Sequence, residues 1–128
     1  MNDFAVALTC GGSVLPVERF SGYYGAVDAL VRIKRLVVAG RVEFTAKAEV
    51  ERLRDGLSVE DVLESVLNAN AIKKILRSRS PRRWAPAERL YIIESPTFGG
   101  TWVYTKGTIR RKGSAAVFYV FISSKLAQ

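Results

Sequence analysis

Trp102-Val-Tyr-Thr-Lys-Gly-Thr-Ile-Arg110 and Ala116-Val-Phe-Tyr-Val-Phe-Ile-Ser123 are the stretches that decide the fold. Both are rich in β-branched and aromatic residues, which suit a pleated, half-buried surface. The unbroken apolar run Ala115–Ile122 predicts a strand covered on both faces, and hence central in a sheet. Lys112-Gly113 between the stretches predicts a two-residue hairpin turn with Arg111 opposite Ser114. In that register Tyr104 faces Phe121 and Lys106 faces Tyr119, with Lys125 farther along the Tyr119 and Phe121 side and near Tyr104 only if the strand continues. Tyr104, Lys106 and Lys125 then gather on one side of the sheet, and a slip of one residue would scatter them.

Working outward, Ile72–Ser78 and Leu90–Ser95 read as two further strands, punctuated by Pro81, Pro86, Pro96 and the Gly99-Gly100 pair. Upstream the period changes from two to that of a helix. From Ala26 to Ala39, the residues Ala26, Leu30, Ile33 and Val37 recur at helical spacing, and Gly40 ends the element. Val42–Phe44 reads as a short extended link. Thr45 can cap a second helix whose Ala46, Val50 and Leu53 share one face, with charge outside and Gly56 as the stop. Ser58 with Asp61 resembles a capping box opening a third helix along Val59, Val62, Leu63, Val66 and Leu67. Helices first and strands last predict an α+β domain with N-terminal helices packed on a C-terminal, largely antiparallel four-stranded sheet. Residues 24–128 form that domain, and residues 1–23, with Gly11-Gly12, Pro16 and Gly22, read as an N-terminal extension.

Charge is divided unevenly along the chain. Residues 1–72 hold eight Lys/Arg against ten Asp/Glu, whereas residues 73–128 hold twelve against Glu88 and Glu94 alone. Such one-sided charge does not help folding and suits a polyanionic partner, most often nucleic acid; a basic solubilising surface is the plainer alternative. The chain has no histidine. That excludes the Ser-His-Asp arrangement, the Cys-His pair and nearly every zinc-hydrolase pattern, so no metal or other cofactor is expected and catalysis must use Tyr, Lys, Arg or carboxylates. Cys10 is the single cysteine, which rules out an internal disulfide, fits a reducing cytosol and suits a small buried residue. Phe4–Leu8 is too short to span a membrane and lacks the basic lead of a signal peptide, so a cytoplasmic protein without membrane contact is expected.

In their order and spacing these elements resemble the RelE-like family of bacterial toxins, more particularly the motility quorum-sensing regulator (MqsR) type. The residues that carry the likeness are Val31-Arg-Ile-Lys-Arg-Leu-Val-Val-Ala-Gly40, Thr45, Gly56-Leu57, Ile72-Lys-Lys74, Trp102-Val-Tyr-Thr-Lys106 and Val120-Phe-Ile-Ser-Ser-Lys125, across residues 24–125. The resemblance implies an mRNA-cleaving toxin, an mRNA interferase, neutralised by a cognate antitoxin protein, with the ribosome as a further place of association. It implies a catalytic site of Lys74 or its neighbour Lys73, with Tyr104 and Lys125. The family's strand glutamine falls near Glu88, a carboxylate here, and a basic Pro-rich stretch is inserted around Ser80–Ala87.

Cleavage of RNA without a metal proceeds by attack of a 2′-hydroxyl on the adjacent phosphate, and needs proton removal, proton donation and stabilisation of negative charge. Tyr104 could move a proton if nearby cations lowered its pKa from about 10. Lys73, Lys74 and Lys125 could stabilise the transition state, with Lys125 as an acid. Each also has a plain structural reading, Tyr104 as a packing residue and the lysines as solvated strand-edge charges. Arg77, Arg79, Arg82 and Arg83, followed by Trp84, form the densest cationic and aromatic cluster, suited to single-stranded RNA. Lys106 and Arg110 extend the candidate RNA-binding set. Three functions fit: a metal-independent endoribonuclease toxin, an RNA-binding domain that does not cut, and a basic module that engages an acidic protein.

Overall fold

In the computed structural model, residues 23–79, 81, 88–113 and 116–128 are described. Helix α1 spans Tyr23–Val38, strand β1 Val42–Phe44, helix α2 Ala46–Arg54 and helix α3 Val59–Leu67. Four strands follow: β2 (Lys74–Arg77), β3 (Arg89–Pro96), β4 (Trp102–Lys112) and β5 (Ala116–Leu126). The protein is thus α+β, with helices before most of the sheet. Expected features on residues 1–22, Cys10 among them, and on Arg82, Arg83 and Trp84 lie outside the described residues.

The helix ends follow the local chemistry read from the sequence. Gly40 and Gly56 both adopt φ of +74°, which a glycine reaches without strain. After α1 the Gly40 amide donates to the Val37 carbonyl and the Arg41 amide to that of Leu36; after α2, Gly56 and Leu57 repeat the pair onto Leu53 and Arg52. This is the Schellman closure, and buried Leu57 supplies its apolar contact. Thr45 Oγ1 accepts the Ala48 amide at 3.2 Å. The capping box of Ser58 and Asp61 is complete in both directions, at 2.9 and 3.0 Å.

The sheet has five strands in the order β1-β5-β4-β3-β2, not four. The additional strand is Val42–Phe44, expected to be a mere link; it runs parallel to β5, with Val42 beside Tyr119 and Phe44 beside Phe121. Stacking explains why so short a segment pairs: the Phe44 and Phe121 rings lie 4.7 Å apart and Tyr119 meets Phe121 edge-on at 5.0 Å. β5 is interior as expected, but β4 holds the centre.

One face of the sheet carries the core. Tyr91, Ile93, Val103, Tyr119 and Phe121 join Leu30, Ile33 and Val37 of α1, Ala48 of α2, and Val62 and Val66 of α3 in one apolar cluster. Gly107 belongs to this face for a steric reason: a Cβ there would come within 2.4 Å of Tyr119 Cζ, so the buried ring lies directly on the β4 backbone.

Helix α2 departs from its expected orientation. Val50 and Leu53 are 63% and 65% exposed and Ala46 is exposed, while Ala48 and Glu51 turn inward. The cause is the edge of β5 beyond the end of β1, whose backbone would otherwise lack partners. Glu51 Oε1 accepts the Ser124 amide at 3.2 Å and the Ser123 hydroxyl at 2.6 Å, Asp55 Oδ2 accepts the Leu126 amide at 2.9 Å, and Ser124 Oγ donates to the Ala48 carbonyl. Satisfying this edge with carboxylates outweighs burying the helix's apolar residues.

Candidate functional site

The face of the sheet opposite the core cluster carries the candidate residues. Along β4, side chains alternate, so Trp102, Tyr104 and Lys106 share this face while Val103 and Thr105, both fully buried, share the other. On β3, Glu94 pairs with Tyr104 and Ile92 with Lys106. Lys74 opens β2 opposite Ile92. Lys73, just before β2, is fixed by its amide to the Ile92 carbonyl and reaches Glu94 through Nζ at 2.8 Å.

The β4–β5 register differs from the expected one. Lys112 pairs with Ala116 and Ile109 with Tyr119, because the turn is longer than two residues and includes Gly113 at φ +68°. Farther on, the register shifts once more between Lys106 and Gly107, where Gly107 meets Phe121 but Lys106 meets Ser123. Ile122 is therefore the extra residue of a β-bulge. Tyr104 faces Lys125 rather than Phe121, and Lys106 faces Ser123 rather than Tyr119. The bulge decides the site: Phe121 points to the core, and without the additional residue Lys125 would point there too. With it, the Lys125 ammonium lies 5.3 Å from the centre of the Tyr104 ring.

A row thus crosses the sheet: Lys73, Glu94, Tyr104 and Lys125, with Lys74 and Lys106 one step along. Tyr104, Lys106 and Lys125 gather as the sequence suggested, though by a different register. Toward the strand centres the same face closes, with Ile92, Thr108 and Val120 buried, so its accessible part is the end that holds Tyr104 and Trp102.

The electrostatics of Tyr104 oppose the expected activation. Its pKa is raised, first by burial, then by the negative charges of Glu94 and Glu51, with Lys73 alone pulling it down. Tyr104 is therefore held as a neutral hydroxyl, and the expectation that cations would lower its pKa is corrected. Glu51, beneath Ser123, shows the opposite balance. Burial would raise its pKa, but the Ser123 hydroxyl, the Lys47 ammonium and the Ser124 amide outweigh that and hold it below the usual carboxylate value.

Of the other RNA-binding candidates, Arg77, Arg79 and Arg110 do not converge on this row. Arg77 pairs with Arg89 near the end of β2, exposed on the edge strand, and Arg79 is exposed just beyond it. Arg110 lies six residues from Tyr104 along β4, about 20 Å away. It is tied to Glu88 by Nε at 2.8 Å and NH2 at 3.3 Å, with both side chains largely buried. Arg110 and Glu88 thus hold the start of β3 against β4, and Glu88 does not face Tyr104. Sequence reasoning missed Glu94 and Glu51. Glu94 was legible, since alternation along Leu90–Ser95 places it beside the face of Tyr104; Glu51 was not, because the orientation of α2 depends on the β5 edge.

No protein-family model, no curated protein and no solved structure matches this chain. Among the described residues, no helix is long and apolar enough to cross a membrane.

Proposed function

We propose that this chain is a metal-independent endoribonuclease acting on single-stranded RNA, a toxin of the RelE-like, MqsR type that cleaves mRNA and is restrained by a cognate antitoxin. The observation that carries this reading is the row Lys73–Glu94–Tyr104–Lys125, which sets a carboxylate, a neutral phenol and two ammonium groups side by side on the accessible end of the sheet.

Each group has a chemical task. Glu94 takes the proton from a 2′-hydroxyl as that oxygen attacks the neighbouring phosphorus. The bond from phosphorus to the 5′-oxygen breaks, a 2′,3′-cyclic phosphate forms, and the leaving oxygen takes a proton from the Lys125 ammonium. Tyr104, kept un-ionised by its surroundings, donates a hydrogen bond to a non-bridging phosphate oxygen rather than acting as the base. Lys73, released from Glu94 by the incoming phosphate, and Lys74 offset the growing negative charge.

The ion pair between Lys73 and Glu94 favours a second reading, in which the row binds RNA without cutting it, since the ammonium already occupies the carboxylate oxygen that would take the proton. Incubation of the purified chain with a mixed-sequence RNA in the presence of a chelator separates the two. Fragments ending in 2′,3′-cyclic phosphate are expected; intact RNA that remains bound would leave only the second reading, and intact RNA with no binding would remove both.

A further inference from the structure

Resting on the RNA reading above, we infer that Trp102 is a base-stacking subsite for the nucleotide adjacent to the phosphate held at Tyr104 and Lys125. Trp102 opens β4 on the same face as Tyr104, two residues away. The rise of two strand residues, about 6.8 Å, suits the step between successive nucleotides in an unstacked strand.

The surroundings of the indole keep it accessible. Its cross-strand neighbours are Pro96 on β3 and, through the Ala127 amide bonded to the Trp102 carbonyl, Ala127 on the other side. Both are small, and neither can cover an indole. Trp102 is 55% exposed, whereas Tyr91 and Tyr119 on the opposite face are buried. A large aromatic surface left in water has a cost unless something occupies it.

Charge selects the occupant. The positions next to the indole on this face lead to Lys125, Lys73, Lys74 and Lys106, with Glu94 as the carboxylate in the row. Lysines beside an open aromatic ring are the combination by which proteins hold single strands, ammonium groups tracking phosphate and the ring stacking a base. Stacking tolerates all four bases, so Trp102 contributes affinity and places the sugar next to Glu94, without demanding one sequence.

The test uses the full chain and a 2′-O-methyl RNA octamer, which binds but has no free 2′-hydroxyl to attack. Fluorescence anisotropy gives Kd for wild type, Trp102→Ala, Trp102→Leu and Trp102→Phe, each checked by thermal melting. Loss of the stack should raise Kd about tenfold or more in the alanine and leucine variants, with the slope of log Kd against log salt unchanged. Leucine keeps apolar bulk without a π-face, so it distinguishes stacking from packing; phenylalanine should stay within about threefold of wild type. An abasic octamer should bind wild type and Trp102→Ala equally weakly. If wild type binds the octamer and Trp102→Leu binds it as tightly, the subsite is overturned while the RNA reading stands, and Trp102 is then a protein-contact residue. If wild type binds neither octamer, the RNA reading falls and the subsite with it.

Discussion

On β4, Val103 and Thr105 are fully buried against the helices, while Trp102, Tyr104 and Lys106 on the other face of the same backbone keep access to solvent. The first face is determined by volume: rings and branched chains fill the space under α1 and α3, and polar groups enter only where a hydroxyl or carboxylate satisfies backbone. The accessible end of the second is determined by charge: the ammonium groups of Lys73, Lys74, Lys106 and Lys125 lie near Glu94, with Glu51 and Asp55 at its β5 border. Alternation alone serves both faces on β4, whereas β5 puts Phe121 and Lys125 on opposite faces only because its register is broken once. The Ile122 bulge leaves Phe121 inside and turns Lys125 outward.

The packed face should respond to substitution with large losses of stability. Phe121→Ala removes the ring that stacks on Phe44 and abuts Tyr119, and should cost about 3–5 kcal/mol in urea unfolding. A cost below about 1 kcal/mol would mean the two faces are less different than their burial indicates. Gly107→Ala comes next, at about 3 kcal/mol, because the new methyl meets a ring that cannot withdraw.

At the boundary between the faces, Glu51→Gln should cost about 2 kcal/mol at neutral pH, since an amide is a poorer acceptor for Ser123 and Ser124 than a carboxylate. Its pKa is lowered in the fold, so its contribution is present above the ordinary value of about 4.5 and is lost as pH falls through the depressed folded value. Acid unfolding of Glu51→Gln should therefore be shallower than that of wild type; superimposable acid limbs would contradict the assignment.

The smallest effect belongs to Tyr119→Phe. Among the described residues the fully buried Tyr119 hydroxyl has no hydrogen-bond partner, so its removal should change stability by less than about 1 kcal/mol, in the stabilising direction if at all. Burial raises the Tyr119 pKa strongly, with the negative charge of an ionised Tyr91 adding to it. The fold is thus favoured below the ordinary tyrosine value of about 10 and loses that advantage as pH rises above it. The phenylalanine variant should resist alkaline unfolding better than wild type.

Much of the packed face was legible because burial writes a period into the chain. The α1 spacing of Leu30, Ile33 and Val37, the Ser58–Asp61 capping box and the glycines at 40 and 56 each follow from local chemistry and stand where they were expected. The candidate site was less legible. Lys73, Tyr104 and Lys125 stood out as residue types suited to the reaction, but their juxtaposition depends on a turn and a bulge that no residue preference at Lys112-Gly113 or Ile122 announces. Helix α2 misled for a related reason: Val50 and Leu53 look like a core face, and the amides of Ser124 and Leu126, distant in sequence, draw Glu51 and Asp55 inward instead as their acceptors.

As a proposed catalytic site, the row on the second face must perform chemistry rather than merely carry charge. Single-turnover cleavage of a short RNA by wild type, Glu94→Gln and Tyr104→Phe tests it most directly, with melting temperatures matched within a few degrees. Glu94→Gln should lower the rate by about 10²-fold or more, and Tyr104→Phe by about 10-fold to 10²-fold, with RNA affinity nearly unchanged in the phenylalanine variant. Since Tyr104 stays neutral, the wild-type rate should show no rise that tracks tyrosine ionisation below about pH 10. Wild-type rates in both variants would contradict the account and leave the row as an ion-paired surface.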